Sequence, residues 1–216
     1  MSNRSIVILK VLAHIACLAP ALWLVVHLVL PDVNFFGVGL GPDPTATVTF
    51  FTGHATLRLL IISLAVTPVR RLSSRLSWLI RFRRMLGLYA FFYGCLHLLT
   101  YIGLYAGFNV HTMLDDIAKR RYIMAGMLAW SLLVPLALTS TNWSIRKLGG
   151  KRWQWLHRAV YLSAISAVVH YWWKVKPGDH APMMSTIVLA ILLMVRPVWS
   201  LATSRRKAAA QPASAA

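Results

Sequence analysis

Long apolar stretches decide the fold of this chain, and the clearest is residues 86–106, which read LGLYAFFYGCLHLLTYIGLYA. At 1.5 Å per helical residue this stretch covers roughly 30 Å, the thickness of a bilayer core. Its only acidic or basic residue is His97. Five more blocks of this kind lie at about 7–30, 48–66, 122–139, 154–173 and 183–201. The sequence therefore predicts an all-α, polytopic membrane protein built as a six-transmembrane-helix bundle.

The composition supports a membrane domain and excludes several other classes of protein. Hydrophobic residues make up 58% of the 216 residues, and the mean hydropathy is +0.62. The formal charge of +18 does not indicate nucleic-acid binding, because the basic residues form short clusters between the apolar blocks. Cys17 and Cys95 lie inside apolar blocks and offer neither a disulfide framework nor a cysteine metal site. We predict a transmembrane domain over residues 1–204 and a disordered cytoplasmic tail over 205–216.

The basic residues predict the orientation, because loops rich in Lys and Arg stay in the cytoplasm. All five acidic residues fall in the loops of the opposite face, together with only five basic residues. Both termini are therefore predicted to lie on the cytoplasmic side of the inner membrane. The sixteen basic residues of the predicted cytoplasmic face are Arg4, Lys10, Arg70, Arg71, Arg75, Arg81, Arg83, Arg84, Arg146, Lys147, Lys151, Arg152, Arg158, Arg205, Arg206 and Lys207.

Two of the eight histidines are predicted to face each other inside the bundle. His97 follows Arg84 by 13 residues and His170 follows His157 by 13 residues, on two helices that run in the same direction. Thirteen residues rise about 20 Å, so His97 and His170 share a level in the periplasmic half. Such a pair suits the two axial positions of a haem iron. The alternative is a pair of buried histidines bonded to neighbouring carbonyls. The small residues one turn before these histidines are Gly94, Ser166 and Ala167.

A second group of histidines lies closer to the predicted cytoplasmic surface. His157 is a bilayer half away from His170 and roughly 140° round the helix, so it cannot bind the same haem. His14, in the first block, has a similar depth. A second redox site here, haem or flavin, and a purely structural role both remain open.

Arg58 is a third candidate site residue, because it lies near the middle of the second block. A guanidinium at this depth needs an anion or water, and no predicted transmembrane block contains Asp or Glu. A haem propionate or a flavin phosphate would suit its planar fork. The alternative is that the side chain extends toward a lipid headgroup. We expect Arg58 to bind a ligand.

Several motifs closely resemble the MsrQ (YedZ) family, over nearly the whole chain apart from the tail. They are Thr67-Pro68, RMLGL at 84–88, HLLTY at 97–101, TSTN at 139–142, KRW at 151–153, His157-Arg158 and His170-Tyr171. The resemblance implies a ferric-reductase-like transmembrane domain that binds haem b and is also described as binding FMN. By motif, the family's haem-associated histidines match His97, His157 and His170, and a histidine of its first helix matches His14. Arg84 stands where the larger ferric reductases have a fourth histidine.

The resemblance also implies partners. The expected electron acceptor is a periplasmic molybdenum-cofactor enzyme, MsrP, which reduces methionine sulfoxide in oxidised proteins of bacteria. Because we find no flavin and nicotinamide domain, the expected donor is membrane quinol or a cytoplasmic flavin reductase. No substrate-turnover site is evident, so we expect an electron-transfer subunit. The competing hypothesis is a transporter or proton channel with a histidine relay, which the missing membrane carboxylates and inverted repeat disfavour.

Overall fold

The computed structural model describes residues 2–30 and 39–209, which form helices joined by short connections. They include a 3-10 segment, Ser74–Leu79, and a π-helical turn, Tyr101–Tyr105. No strand occurs in this described part of the chain. The helices are α1 Asn3–Val29, α2 Pro44–Leu72, α3 Ile80–Thr100, α4 Val110–Lys119, α5 Arg121–Leu138, α6 Asn142–Leu148, α7 Gly150–Leu156, α8 Ala159–Lys174 and α9 Ala181–Ala209.

The predicted fold class, an all-α polytopic membrane protein, is confirmed. Five helical segments of the described chain are long and apolar enough to cross a membrane: α1, α2, Ser74–Tyr105, α5 and Ala181–Trp199 of α9. The remaining predicted helix, the fifth in chain order, corresponds to α8, which has 16 residues and a length of about 24 Å. The helix α9 continues to Ala209, into the segment predicted as a tail, and residues 210–216 of that tail lie outside the described residues.

The structure corrects the start of the fifth predicted helix. We expected one helix from residue 154, but residues 150–156 form the separate helix α7, and α8 begins at Ala159. His157 therefore lies at the junction of two helices. The short helices α4, α6 and α7 were not predicted, because membrane-length hydropathy does not detect helices of 7 to 10 residues.

Side chains at the helix starts explain where two of these helices begin. The Asp43 carboxylate accepts a hydrogen bond from the Ala46 amide at 2.9 Å, and Pro44 occupies the first turn of α2. The Asn109 side chain accepts from two amides in the first turn of α4. These caps satisfy amides that have no partner within the helix.

The core lies where α2, α3, α5, α8 and α9 pack together. Two serine hydroxyls hold α8 against α5, since Ser163 donates to the Ala129 carbonyl at 2.8 Å and Ser166 donates to the Ala125 carbonyl at 2.9 Å. We had expected Ser166 to leave room beside His170. Its side chain faces α5 instead. The apolar core residues are Leu57, Leu60, Leu64, Ala90, Leu133, Leu136, Ala164, Val168, Leu189 and Leu192.

Candidate functional site

The site is centred on His97 of α3 and His170 of α8. Their ring centroids are 5.9 Å apart and their planes are inclined by 79°. The predicted shared level of the two histidines is therefore confirmed. Two imidazoles bound to one metal ion through bonds of about 2 Å would place their centroids roughly 6 Å apart. The pair offers two ligands, which suits an iron whose other four positions are filled by a porphyrin.

Both imidazoles are oriented by main-chain carbonyls. His97 Nδ1 lies 3.0 Å from the Thr49 carbonyl oxygen of α2, and His170 Nδ1 lies 2.6 Å from the Tyr122 carbonyl oxygen of α5. A carbonyl can only accept, so Nδ1 carries the hydrogen in each ring. The neutral ring then has its lone pair on Nε2. This is the arrangement in which histidine ligands of metals are usually held.

Two glycines on the neighbouring helices let these rings lie close to helix backbone. A Cβ atom at Gly53 of α2 would lie 3.1 Å from His97 Cε1. At Gly126 of α5 a Cβ atom would lie 2.8 Å from His170 Nδ1. A side chain at either position would displace the imidazole. Sequence reasoning missed both glycines because it considered only the helices that carry the histidines. The available signal was a glycine inside an apolar helix, which often marks a close approach.

The two histidines line a cavity between α2, α3, α5 and α8. It holds about 1310 Å³ of empty space, including its open mouth. Its walls are mainly apolar, and the predicted small residues Gly94 and Ala167 are among them. Polar side chains gather near the α4 end, where His54 Nε2 lies 2.8 Å from the Tyr171 hydroxyl. Two facing imidazoles, apolar walls and a polar mouth fit the chemistry of haem, a flat apolar ring with two carboxylates.

His157 lies apart from this cavity, in a different environment. Its ring stacks on Trp153 with a centroid distance of 3.9 Å, and its Nε2 is 3.1 Å from the Thr139 hydroxyl oxygen. That hydroxyl donates to the Pro135 carbonyl at 2.6 Å, so it accepts from Nε2–H of His157. The proton of His157 is therefore on Nε2, opposite to that of His97 and His170.

Burial and neighbouring charges favour the neutral form of His157. Burial, followed by the guanidiniums of Arg83 and Arg84, lowers the pKa of His157 below its ordinary value. Arg84 also donates to the Asn142 side-chain oxygen at 2.9 Å. An arginine rather than a second imidazole therefore faces His157 from α3.

His14 and Arg58 are not brought to the His97–His170 cavity. His14 is exposed on α1, with Nδ1 at 2.8 Å from the Tyr89 hydroxyl of α3, and does not share a partner with His157. Arg58 is exposed on α2 and does not line the cavity. Its neighbour Leu57 is buried against the cavity, and one helical residue turns the side chain by about 100°. Arg58 nevertheless lies close enough to His54 and Tyr171 of the cavity wall for its charge to act on both, and the expectation that it binds an anionic ligand stays a prediction.

Comparison with known proteins agrees with this architecture. The family model described as the ferric reductase like transmembrane component matches residues 51–168. This match contains α3, α5 and the first two thirds of α8, with His97 inside it and His170 just beyond. The fold and the histidine pair thus define a ferric-reductase-like transmembrane component.

Individual relatives identify the family within this class. A protein of Herminiimonas arsenicoxydans named protein-methionine-sulfoxide reductase heme-binding subunit MsrQ is 50% identical to this chain over 164 residues, which cover 74% of each chain. The relative of that name in Rhodospirillum rubrum is 44% identical over 187 residues, covering 87% of this chain and 86% of its own. That of Xanthomonas oryzae pv. oryzae is 40% identical over 219 residues, covering 98% and 95%. The chain belongs to the MsrQ family.

Proposed function

We propose that this chain is the haem b membrane subunit of a system that reduces methionine sulfoxide in oxidised proteins. His97 and His170 would hold the haem iron through their Nε2 atoms. The observation that carries the proposal is the imidazole pair, 5.9 Å apart, with each Nδ1 bonded to a carbonyl. The names of the relatives support both the haem and the reductase system. When bound, the iron supplies one-electron redox chemistry.

In this proposal the chain fixes the orientation of two neutral imidazoles and surrounds them with apolar side chains. The Thr49 and Tyr122 carbonyls fix the ring orientation and increase the basicity of Nε2. Gly53 and Gly126 leave the space that this orientation requires. The apolar cavity walls exclude water, which favours the neutral over the protonated imidazole.

The direction of electron transfer in the proposal follows from the predicted topology. With both termini in the cytoplasm of a bacterial inner-membrane protein, the cavity opens toward the periplasm, beside α4. The acceptor is a periplasmic MsrP-type molybdoenzyme that forms a heterodimer with this chain. The donor is membrane quinol or a cytoplasmic flavin reductase. The distribution of sixteen basic residues against five supports this orientation.

The proposal assigns the cytoplasmic side a second redox site that includes His157, with FMN as its cofactor. His14 lies on the same predicted side of the membrane. Arg58 is not part of this cytoplasmic group, since it lies close enough to His54 and Tyr171 for its charge to act on both. It is exposed and has no ion-pair partner among the described residues, and its proposed role is to bind an anionic ligand group such as a flavin phosphate. Residues 1–204 form the membrane domain, and residues 205–216 form the cytoplasmic tail.

A visible spectrum of the detergent-purified protein tests the proposed haem ligands. We expect a Soret band that shifts on reduction with dithionite, and we expect His97→Ala or His170→Ala to abolish the low-spin spectrum. His157→Ala is the matched control and leaves one low-spin haem. Equal loss in all three variants would refute the ligand assignment. A haem-replete preparation without a Soret band would reject the haem function and leave the histidine-relay transporter as the competing explanation.

Flavin content tests the proposed role of Arg58 separately. We expect Arg58→Gln to lower the FMN released per polypeptide while the haem content, measured as the pyridine haemochrome, stays constant. Arg71→Gln, an exposed arginine at the end of the same helix, is the control. Equal FMN content in wild type and Arg58→Gln would reject the role of Arg58.

A further inference from the structure

The polar mouth of the His97–His170 cavity contains two cationic side chains, Arg120 and Lys174. Arg120 precedes α5 and Lys174 ends α8, so both lie at the α4 end of the cavity. The remaining walls are mainly apolar. A haem that enters this cavity between the imidazoles carries two carboxylates, and these need water or cations. The cations at the mouth therefore match the two carboxylates on the polar edge of the porphyrin.

Arg120 is held in place by a hydrogen-bonded clamp. Its Nε lies 2.9 Å from the Asp116 carboxylate, and its Nη1 donates to the Tyr122 hydroxyl at 3.3 Å. The Tyr101 hydroxyl donates to the other Asp116 oxygen at 3.0 Å. A guanidinium has five N–H groups, and only that of Nη1 makes a hydrogen bond here, so others remain for a ligand. Asp116 partly compensates the charge of Arg120 and, with Tyr122, holds it at the mouth.

Lys174 supplies the uncompensated charge. Its ammonium lies 5.2 Å from the centre of the Tyr122 ring, and it has no ion-pair partner within the described chain. Tyr122 therefore connects the mouth to the centre of the site. Its hydroxyl accepts from Arg120, its ring faces Lys174, and its carbonyl accepts from His170. Tyr122 therefore contacts both cations through its side chain and orients the proposed haem ligand His170 through its carbonyl.

We propose that Lys174 and Arg120 bind the two haem propionates at the periplasmic mouth of the cavity. This inference rests on the proposed haem function and assigns to these two residues the role that the sequence had suggested for Arg58. Lys174 acts mainly through its charge, and Arg120 acts through directed N–H groups.

The test compares haemin with its dimethyl ester, in which both carboxylates are blocked. The full chain is expressed under haem limitation, and the affinity for each porphyrin is measured by Soret titration. We expect wild type to bind haemin at least about tenfold more tightly than the ester, because charge-assisted bonds are lost in the ester. Lys174→Gln and Arg120→Gln each weaken haemin binding, Lys174→Gln more, and leave ester binding unchanged. In the double variant the preference for haemin disappears.

Matched controls use cations that lie close to these residues in sequence but line neither this cavity nor the one beside Lys174. Lys119→Gln, whose ammonium pairs with Asp115, is the control for Lys174. Arg121→Gln, whose guanidinium lies 5.6 Å from the centre of a Trp173 ring, is the control for Arg120. Both controls should keep the preference of wild type for haemin. Haem-loaded protein gives a second readout that does not require the apoprotein. The propionate bending band of the resonance Raman spectrum should shift in Lys174→Gln but not in Lys119→Gln.

Three results would overturn the assignment. Equal wild-type affinity for haemin and its ester would show that the mouth does not bind propionates, as would be the case if these cations bind lipid phosphate. Equal loss of both porphyrins in Lys174→Gln and Arg120→Gln would show a structural role only. An unchanged propionate band in both variants would contradict the contact directly. A wild-type chain that binds neither porphyrin would instead reject the haem function itself.

Discussion

Gly126→Ala tests whether the backbone of α5 sets the position of His170. The added Cβ atom would lie 2.8 Å from His170 Nδ1 and 3.0 Å from its Cε1. The ring cannot move away without lengthening its 2.6 Å bond to the Tyr122 carbonyl. The clash involves a ring close to its own backbone rather than the end of a flexible chain. Either the imidazole or the helix must therefore shift by several tenths of an ångström.

The expected magnitude follows from two opposing effects. Overpacking of this kind costs about 1–3 kcal/mol, whereas replacing a helical glycine by alanine stabilises a helix by about 0.5–1 kcal/mol. We expect the net free-energy cost to appear as a displaced His170 imidazole. Loss of an outer-shell contact to a metal ligand typically lowers metal affinity about 10–100-fold. We expect Gly126→Ala to lose haem to apomyoglobin faster than wild type and to show altered low-spin EPR signals.

A graded series of glycine variants makes the test specific. At Gly53 the corresponding contact is 3.1 Å, to His97 Cε1, so Gly53→Ala should have a smaller effect. At Gly87, outside the cavity, a Cβ atom would meet only the Ser63 hydroxyl at an ordinary 3.6 Å. Gly87→Ala should retain haem as wild type does and be slightly more stable. The reasoning is wrong if Gly126→Ala holds haem as firmly as wild type, or if the Gly87 variant loses it equally.

Two further predictions concern stability. Tyr93→Phe removes the 2.7 Å bond from the buried Tyr93 hydroxyl to the Cys17 carbonyl of α1, and it should lower the free energy of unfolding by about 1 kcal/mol without changing the haem spectrum. Tyr89→Phe, whose hydroxyl meets an exposed His14, should cost less, and equal costs would contradict this difference in burial. Because the folded-state pKa of His157 is lowered, the unfolded chain takes up the proton first, and stability should fall as the pH drops below about 6.5. Thermal unfolding at several pH values should show a smaller decline for His157→Gln, and equal slopes would contradict the lowered pKa.

The membrane fold could be predicted largely because its signal is local. Apolar blocks of membrane length specify α1, α2, α3, α5 and α9 without knowledge of their neighbours. The junction between α7 and α8 could not be predicted in this way. The break there falls within a continuous stretch of aromatic and apolar residues around His157, which hydropathy cannot divide.

The histidine pair was also accessible from the sequence, since equal 13-residue intervals on two parallel helices fix a common depth. Depth does not determine which helix face meets the cavity. Arg58 does not line the cavity, whereas Arg120 and Lys174 do, and both lie at helix ends that hydropathy treats only as boundaries. The carbonyls and glycines of α2 and α5 that orient the two histidines could not be predicted, because their positions depend on packing between helices that are distant in sequence.

The acceptors for His97 and His170 are main-chain atoms, and this has a consequence for how the family can vary. Every residue type has a carbonyl, so replacing Thr49 leaves the acceptor of His97 in place, provided that α2 keeps its path. Residue 49 is therefore free to drift during evolution without loss of this hydrogen bond. A search based on the identity of residue 49 would therefore miss the group that orients His97, although the Thr52 hydroxyl, 3.4 Å from the same nitrogen, is a side-chain neighbour.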